Sequence, residues 1–267
     1  MNRLAWIGLG RMGSVMALKL ASAGFEVAGW DREEAALANA AGKGIARSGS
    51  VREAVEDADC VFLCLPDSDV TQAMLFGEDG VARLMTPERM VVDHSTAHPD
   101  VVRSLARRLR DSHGIDYIDA PVSVSPLESG GSRRTAWVGG DDATIQRALP
   151  WLETYVDRVV PMGQVGAGQF AKSCNQAVVC ATVAAWGEML EYARDYGIDP
   201  AAVTQALNGA ASDSVVARQF SGQLERHALP ELSRRNFAKD LRIVLDVAQR
   251  SGTPMPICTE ALRSIED

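Results

Sequence analysis

The stretch RLAWIGLGRMGSVMALKLASAGFEVAGWDR, residues 3–32, decides the fold. RLAWIG is an apolar run of strand character that ends in glycines. MGSVMALKLASAG has helical spacing, with Met12, Val15, Met16, Leu18 and Leu20 largely on one side, and Gly24 marks its end. FEVAGWD is a second strand. Between the first strand and the helix stand Gly8, Gly10 and Gly13, spaced G-x-G-x-x-G. Alone that spacing says little; after a strand and at the head of a helix it predicts a dinucleotide site. Gly8 permits the tight turn, Gly10 lets backbone approach a pyrophosphate, and Gly13 lets the helix pack on the strand. Leu9, Arg11 and Met12 then lie beside phosphates held by the amides of the helix N-terminus.

Asp31 closes the second strand, 18 residues after Gly13. A carboxylate there accepts the adenosine-ribose hydroxyls and repels a 2′-phosphate, which favours NAD. Arg32 keeps NADP possible, because a guanidinium can hold that phosphate; it fits a solvated surface residue as well.

Outward from this unit the same alternation continues. REEAALANAAGKG is helical, and ADCVFLCLP, MVVDHST, IDYIDAP, TAWVGG and RVVPMG are strand-like, most of them preceded by a helical segment. Repeated βα units predict a mostly parallel sheet with helices on both faces. After PMGQVGAG the pattern turns helical. Residues Gly168 to Tyr196 read as one helix of about 40 Å at ~1.5 Å per residue; PAAVTQALNGA, SVVARQFSGQLE, FAKDLRIVLDVAQRSG and PICTEALRSIE follow. The expected fold class is α/β. A Rossmann-type doubly wound domain, residues 1–162, precedes an all-helical domain, residues 163–267, and the long helix joins them.

Loops after parallel strands line the ligand crevice of such sheets. Leu65 and Pro66 in LCLPDS offer apolar surface to a cofactor. Thr96 in DHSTAHP offers a hydroxyl, although Ser95 and Thr96 read equally as the N-cap of the next helix.

In GAGQFAKSCNQAVVCATVAAWGE, residues 166–188, no charge separates Lys172 from Glu188. Residues three and four apart share a helix face, so Lys172, Asn175, Gln176 and Val179 project together. Gly168, one turn earlier, is read as leaving room above them, and Gly163 and Gly166 as thinning the approach. A lysine and an asparagine so placed suit a carbonyl oxygen, the lysine giving or taking a proton while hydride moves. The helix N-terminus adds positive potential, which attracts a carboxylate and favours the neutral amine. The bland alternative is a lysine snorkelling from a helix end.

Composition narrows the classes. With 267 residues, 46% of them hydrophobic and 23% charged, the balance is that of a globular protein. A net charge of −8 argues against nucleic acid or an acidic membrane as partner. The uncharged run carries Ser173, Asn175, Gln176 and Thr182 and falls short of the ~20 apolar residues that span a bilayer. No signal peptide is read at the N-terminus, so a cytoplasmic location is expected. The five cysteines, odd in number and without C-x-x-C, read as small core residues, and the four histidines form no metal-like cluster. No metal is expected.

Four segments in order give the chain a resemblance to the β-hydroxyacid dehydrogenase family, of the 3-hydroxyisobutyrate dehydrogenase, tartronate semialdehyde reductase and glyoxylate/succinic semialdehyde reductase type. IGLGRMGSVMALKLASAGFEVAGWDR is similar to its cofactor fingerprint, DAPVS (Asp119–Ser123) to the start of its substrate loop, GAGQFAKSCNQ to its G-x-G-x-x-x-K-x-x-N helix, and KDL (Lys239–Leu241) to its C-terminal motif. The likeness covers essentially the whole chain. It implies an NAD(P)-dependent oxidoreductase acting on a small 3-hydroxy acid or its semialdehyde, assembled as a homodimer or homotetramer. Lys172 is the implied acid/base and Asn175 a substrate or lysine partner. Ser123, Val124, Lys239 and Asp240 also fall at substrate positions. Thr96 and Lys239 would touch the cofactor near the nicotinamide, with Asp240 orienting Lys239.

One segment departs from the family. Val124 and Ser125 stand for two glycines, Glu128 and Ser129 for G-A, Ser132 for a glycine and Trp137 for methionine. In relatives those glycine amides help hold the substrate carboxylate. Gly130 and Gly131 can restore flexibility a little later. Arg133 and Arg134 fit either a substrate anion or a solvated strand end. Two other functions suit the same plan: an imine reductase, or a non-catalytic dehydrogenase-like binding module. Relatives of both kinds usually lack the lysine that stands here as Lys172.

Overall fold

The computed structural model describes residues 3–127 and 131–266. Glu128, Ser129 and Gly130, singled out above, lie outside the described residues. By its contacts the chain divides into two compact units. One is Met1–Val124 with Arg133–Lys172, and the other is Ser125–Ser132 with Ser173–Asp267.

The chain begins with β1 (Arg3–Ile7), α1 (Gly13–Ser22), β2 (Glu26–Trp30), α2 (Glu34–Ala41), β3 (Ala46–Arg47) and α3 (Val51–Val55). Next come β4 (Cys60–Leu63), α4 (Ser68–Phe76), α5 (Val81–Leu84), β5 (Met90–Asp93), α6 (Pro99–His113) and β6 (Asp116–Asp119). Then follow β7 (Val122–Pro126), β8 (Ser132–Gly139), α7 (Asp142–Tyr155) and β9 (Arg158–Gly163). The remainder is helical: α8 (Ala167–Asp195), α9 (Pro200–Leu207), α10 (Val215–Leu224), α11 (Glu231–Ser251) and α12 (Pro256–Glu266).

The sheet runs β3-β2-β1-β4-β5-β6-β8-β7, with β9 paired to β8. Strands β1 to β6 are mutually parallel, β8 is antiparallel to β6, and β9 is parallel to β8. Ile7 pairs with Trp30 on one side and Leu63 on the other, so the order reverses between β1 and β4. That reversal is the topological switch point where ligands bind in doubly wound sheets, and the glycine loop leaves β1 there.

Successive strand residues point to opposite faces. Leu4, Trp6, Cys60, Phe62, Met90 and Val92 pack with Met16 and Leu20 of α1 and Leu152 of α7. Ala5, Ile7, Val61, Leu63 and Val91 pack with Val102, Leu105 and Leu109 of α6. Burial on both faces explains why these strands read as near-continuous apolar runs. Trp6 stacks on Phe62 at 5.0 Å between centroids. Its indole N–H donates to Gly8 O at 3.1 Å, which anchors the glycine loop from below.

In the second unit, Ala177, Cys180, Val183 and Ala184 of α8 bury against Phe237, Leu241 and Val244 of α11 and Cys258, Ala261 and Ile265 of α12. The spacings of three and four residues put each set on one helix face. The absence of charge after Lys172 thus has its first cause in this core.

Four local expectations need correction. VSVSP yields β7 rather than an open loop, because its alternation pairs with the first half of β8. Helix α11 starts at Glu231, ahead of the apolar periodicity. Cys174 is exposed and Cys64 half-buried, so only Cys60, Cys180 and Cys258 are core residues. His98 caps α6, its Nδ1 accepting from Asp100 N at 3.1 Å, and Ser95 and Thr96 do not.

Candidate active site

The glycine loop is built as its spacing requires. Gly8 has φ +96°, and a Cβ there would run into Cys64 O. A Cβ on Gly13 would meet Gly8 O and stand 2.9 Å from Trp6 Nε1, whereas one on Gly10 would meet nothing within 4 Å. Gly10 therefore opens on free space, and Gly10 and Arg11 are exposed, with Met12 half-buried. Helix α1 has no side-chain cap and no acidic residue in its first turn. An uncapped helix N-terminus over an open glycine fits a pyrophosphate. The Leu9 side chain is a core residue at 2% exposure; its amide donates to Asp31 Oδ2 at 2.6 Å. Asp31 Oδ1 accepts from Glu33 N at 2.8 Å. Asp31 thus ties the loop to the end of β2, and the remaining lone pairs of its carboxylate suit ribose hydroxyls. Arg32 is exposed and pairs with Glu33 at 3.3 Å.

Leu65 follows β4, and its amide donates to Ser95 Oγ at 2.9 Å, joining the two crevice loops. Pro66 is exposed and Thr96 half-buried.

Lys172 is buried at 8% exposure, with its Nζ donating to Val122 O at 3.1 Å, next to the half-buried Ser123 and Val124. One turn before it, Gln169 fixes the start of α8 to the loop after β5. The Gln169 Nε2 donates to Ser95 O at 2.7 Å and its Oε1 accepts from Ala97 N at 3.0 Å. Lys172 therefore stands at the carboxyl edge of the sheet, in the unit that carries the glycine loop.

Two expectations about this helix are overturned. Gly168 leaves no room for a ligand: a Cβ there would run into Trp137 O and stand 2.8 Å from Asp119 Oδ2. Nor does the N-terminus of α8 await a substrate carboxylate. Asp119 fills that place, Oδ1 accepting from Gly166 N and Oδ2 from Gln169 N, both at 2.7 Å. Burial pushes the Asp119 carboxyl up to about 6, with the two amides pulling the other way.

In the second unit, Asn175 Nδ2 donates to Gln176 Oε1 at 2.9 Å, and Gln176 Nε2 donates to Asp240 Oδ2 at 2.6 Å. Asp240 Oδ1 lies 3.3 Å from Lys239 Nζ. Asn175, Lys239 and Asp240 are thus joined through Gln176.

Sequence reasoning missed Asp119, Gln169 and Gln176 as organisers of this region. The available signal was their setting: a carboxylate or amide amid apolar residues must find partners when buried. His94, in the loop after β5, is buried. Its Nδ1 lies 2.7 Å from Ala120 O and its Nε2 2.8 Å from Tyr155 Oη. A carbonyl only accepts, so Nδ1 carries the proton and Nε2 accepts from the tyrosine hydroxyl. Burial lowers its pKa to about 4. The unfolded chain then binds the extra proton first as pH falls below ~6.5, so His94 contributes stability above that pH and loses it toward pH 4, by about 3 kcal/mol. Asp119, with its folded pKa raised, acts in the opposite sense over much of the same window. Denaturant unfolding of wild type against His94→Gln cancels the carboxylates: the stability gap should shrink by about 3 kcal/mol from pH 7 to pH 4. A constant gap would refute this assignment.

Among the described residues no group of acidic, histidine and cysteine side chains could hold a metal, and no helix is long and apolar enough to cross a membrane.

Two family models match the chain. Residues 3–163 match the family model described as the NAD binding domain of 6-phosphogluconate dehydrogenase. Residues 166–266 match that described as NAD-binding of NADP-dependent 3-hydroxyisobutyrate dehydrogenase. The chain is 31% identical to the 2-hydroxy-3-oxopropionate reductase of Escherichia coli over 259 residues, covering 95% of this chain and 87% of that one. A solved 3-hydroxyisobutyrate dehydrogenase from Salmonella typhimurium superposes with TM-score 0.89 at 26% identity, over 100% of this chain and 93% of that one. The Mycobacterium tuberculosis 3-hydroxyisobutyrate dehydrogenase with L-serine gives TM-score 0.82 at 28% identity, over 98% and 92%.

Proposed function

The chain belongs to the β-hydroxyacid dehydrogenase family and is an NAD(P)-dependent hydroxyacid oxidoreductase, and from that premise we propose that it interconverts a small 3-hydroxy acid and its semialdehyde or oxo acid with Lys172 as general acid/base. The observation that carries this reading is the buried Lys172 amine, held 3.1 Å from Val122 O at the carboxyl edge of the sheet. When bound, the nicotinamide supplies or accepts the hydride. In reduction Lys172 Nζ gives its proton to the carbonyl oxygen; in oxidation the neutral amine takes the hydroxyl proton. The Val122 carbonyl accepts one amine hydrogen and so aims the group, and burial keeps bulk water from it. Ser123 and the position of Val124 adjoin the amine and bind substrate. Asn175, one turn on along α8, steadies a substrate oxygen or the amine. Lys239, set by Asp240, serves the cofactor and substrate side of the second unit.

Residues 1–162 hold the cofactor in this reading, with Asp31 favouring NAD, and residues 163–267 serve substrate binding and assembly. The protein acts in the cytoplasm as a homodimer or homotetramer; the exposed Val178, Tyr192 and Tyr196 on α8 support assembly.

A turnover screen of small hydroxy acids and semialdehydes with NAD(H) and NADP(H), run beside cyclic imines, tests the reading. Hydroxy-acid turnover with NAD preferred is expected. Turnover confined to imines would transfer the chain to the imine-reductase reading. Unchanged NADH fluorescence on adding protein would favour a non-catalytic module.

A further inference from the structure

The substrate segment forms one face of an antiparallel ladder whose register is fixed at three points. Asp119 pairs with Gly139, Trp137 N donates to Pro121 O at 3.3 Å, and Leu127 N donates to Gly131 O at 3.2 Å. In that register Val122 stands opposite Ala136, Ser123 opposite Thr135 and Val124 opposite Arg134.

The two faces differ in chemistry. Ala136 and Val138 are fully buried in the core beside α1 and α7, and Val122 packs there too. Val124 and Arg134 share that face by the period of two, and Arg134 Nε is buried with no hydrogen-bond partner among the described residues. The opposite face carries Ser123 and Thr135, both half-buried, and Arg133, exposed. A hydroxyl pair with a guanidinium beside it is a ready carboxylate receptor, since arginine presents a fork of donors to two oxygens.

The position of Lys172 sets the scale. Its amine is held on Val122 O, in the row of Ala136. Arg133 lies three residues from Ala136 along β8, about 10 Å at ~3.3 Å per residue. An extended arginine side chain and a short-chain acid are together long enough for that span and for the strand spacing of about 4.8 Å between β7 and β8, which would set the reacting oxygen at Lys172 and the carboxylate at Arg133.

Resting on the functional reading above, we propose that Arg133, with Ser123 and Thr135, binds the substrate carboxylate and makes this enzyme selective for anionic substrates. Valine at 124 narrows the backbone conformations that a glycine would allow, and Arg133 supplies a full charge and a fork of donors that a backbone amide does not.

The test compares wild type, Arg133→Ala and Arg133→Lys on a short-chain 3-hydroxy acid and on its primary amide, with NAD+. Loss of a hydrogen-bonded charge should raise KM for the acid ~10–100-fold in Arg133→Ala. Turnover at saturation should stay within about twofold. The amide should be used equally by both proteins, KM for NAD+ should not move, and Arg133→Lys should recover part of the loss. An unchanged KM for the acid, or equal losses on acid and amide, overturns the assignment of Arg133 alone. If wild type turns over no hydroxy acid at all, the functional reading falls and this assignment falls with it.

Discussion

Lys172→Ala is expected to bind NADH as the wild type does and to lose ~10²–10⁴ in turnover, the usual worth of a positioned acid or base. The amine donates to the Val122 carbonyl, while the pins that hold the head of α8 are Asp119 and Gln169. The glycine loop that receives the cofactor is fastened by Asp31 and Trp6 instead. Loss of turnover with cofactor affinity intact is therefore the signature of lost proton transfer. Lys172→Arg should be nearly as poor, because a guanidinium keeps its charge but does not give up its proton near neutral pH. Steady-state rates at 340 nm with fluorescence titration of NADH check both variants. Near-normal turnover in either would remove Lys172 from the chemistry.

Asp119→Ala is expected to destabilise the protein by about 2–4 kcal/mol, the combined cost of a lost cap and two stranded donors. The carboxylate is buried at 0% exposure and takes both Gly166 N and Gln169 N. Without it both amides lose the carboxylate oxygens that accept from them. Asp119→Asn keeps the shape but turns one acceptor into a donor aimed at an N–H, so it should recover only part of the loss. Urea unfolding near pH 7 measures the difference. A change under 1 kcal/mol for the alanine variant would mean that water or a shifted backbone replaces the carboxylate.

The doubly wound architecture was readable because both periodicities were plain: apolar strands buried on two faces, and helices spaced by three and four. The glycine loop was readable for a related reason, since each glycine answers a separate steric demand at Gly8 and Gly13, with Gly10 left open. Asp119 was harder. Its sequence neighbours mark it as part of a substrate motif, while its work is to cap a helix that begins almost fifty residues later, at Ala167. Long-range capping leaves no local pattern. Gly168 misled in the opposite way: a missing side chain signals close approach, and nothing in the letters says whether backbone or ligand makes it. The hairpin of β7 and β8 hid because VSVSP is short and half polar, so its pairing depended on a partner strand that had to be known first.

Chemical rescue is the most direct measurement of the central claim. Small primary amines added to Lys172→Ala should restore turnover in proportion to their concentration, with a pH optimum that moves with the pKa of the amine used. Turnover that no amine raises, or that rises with an optimum indifferent to the amine, would contradict a proton passing through position 172.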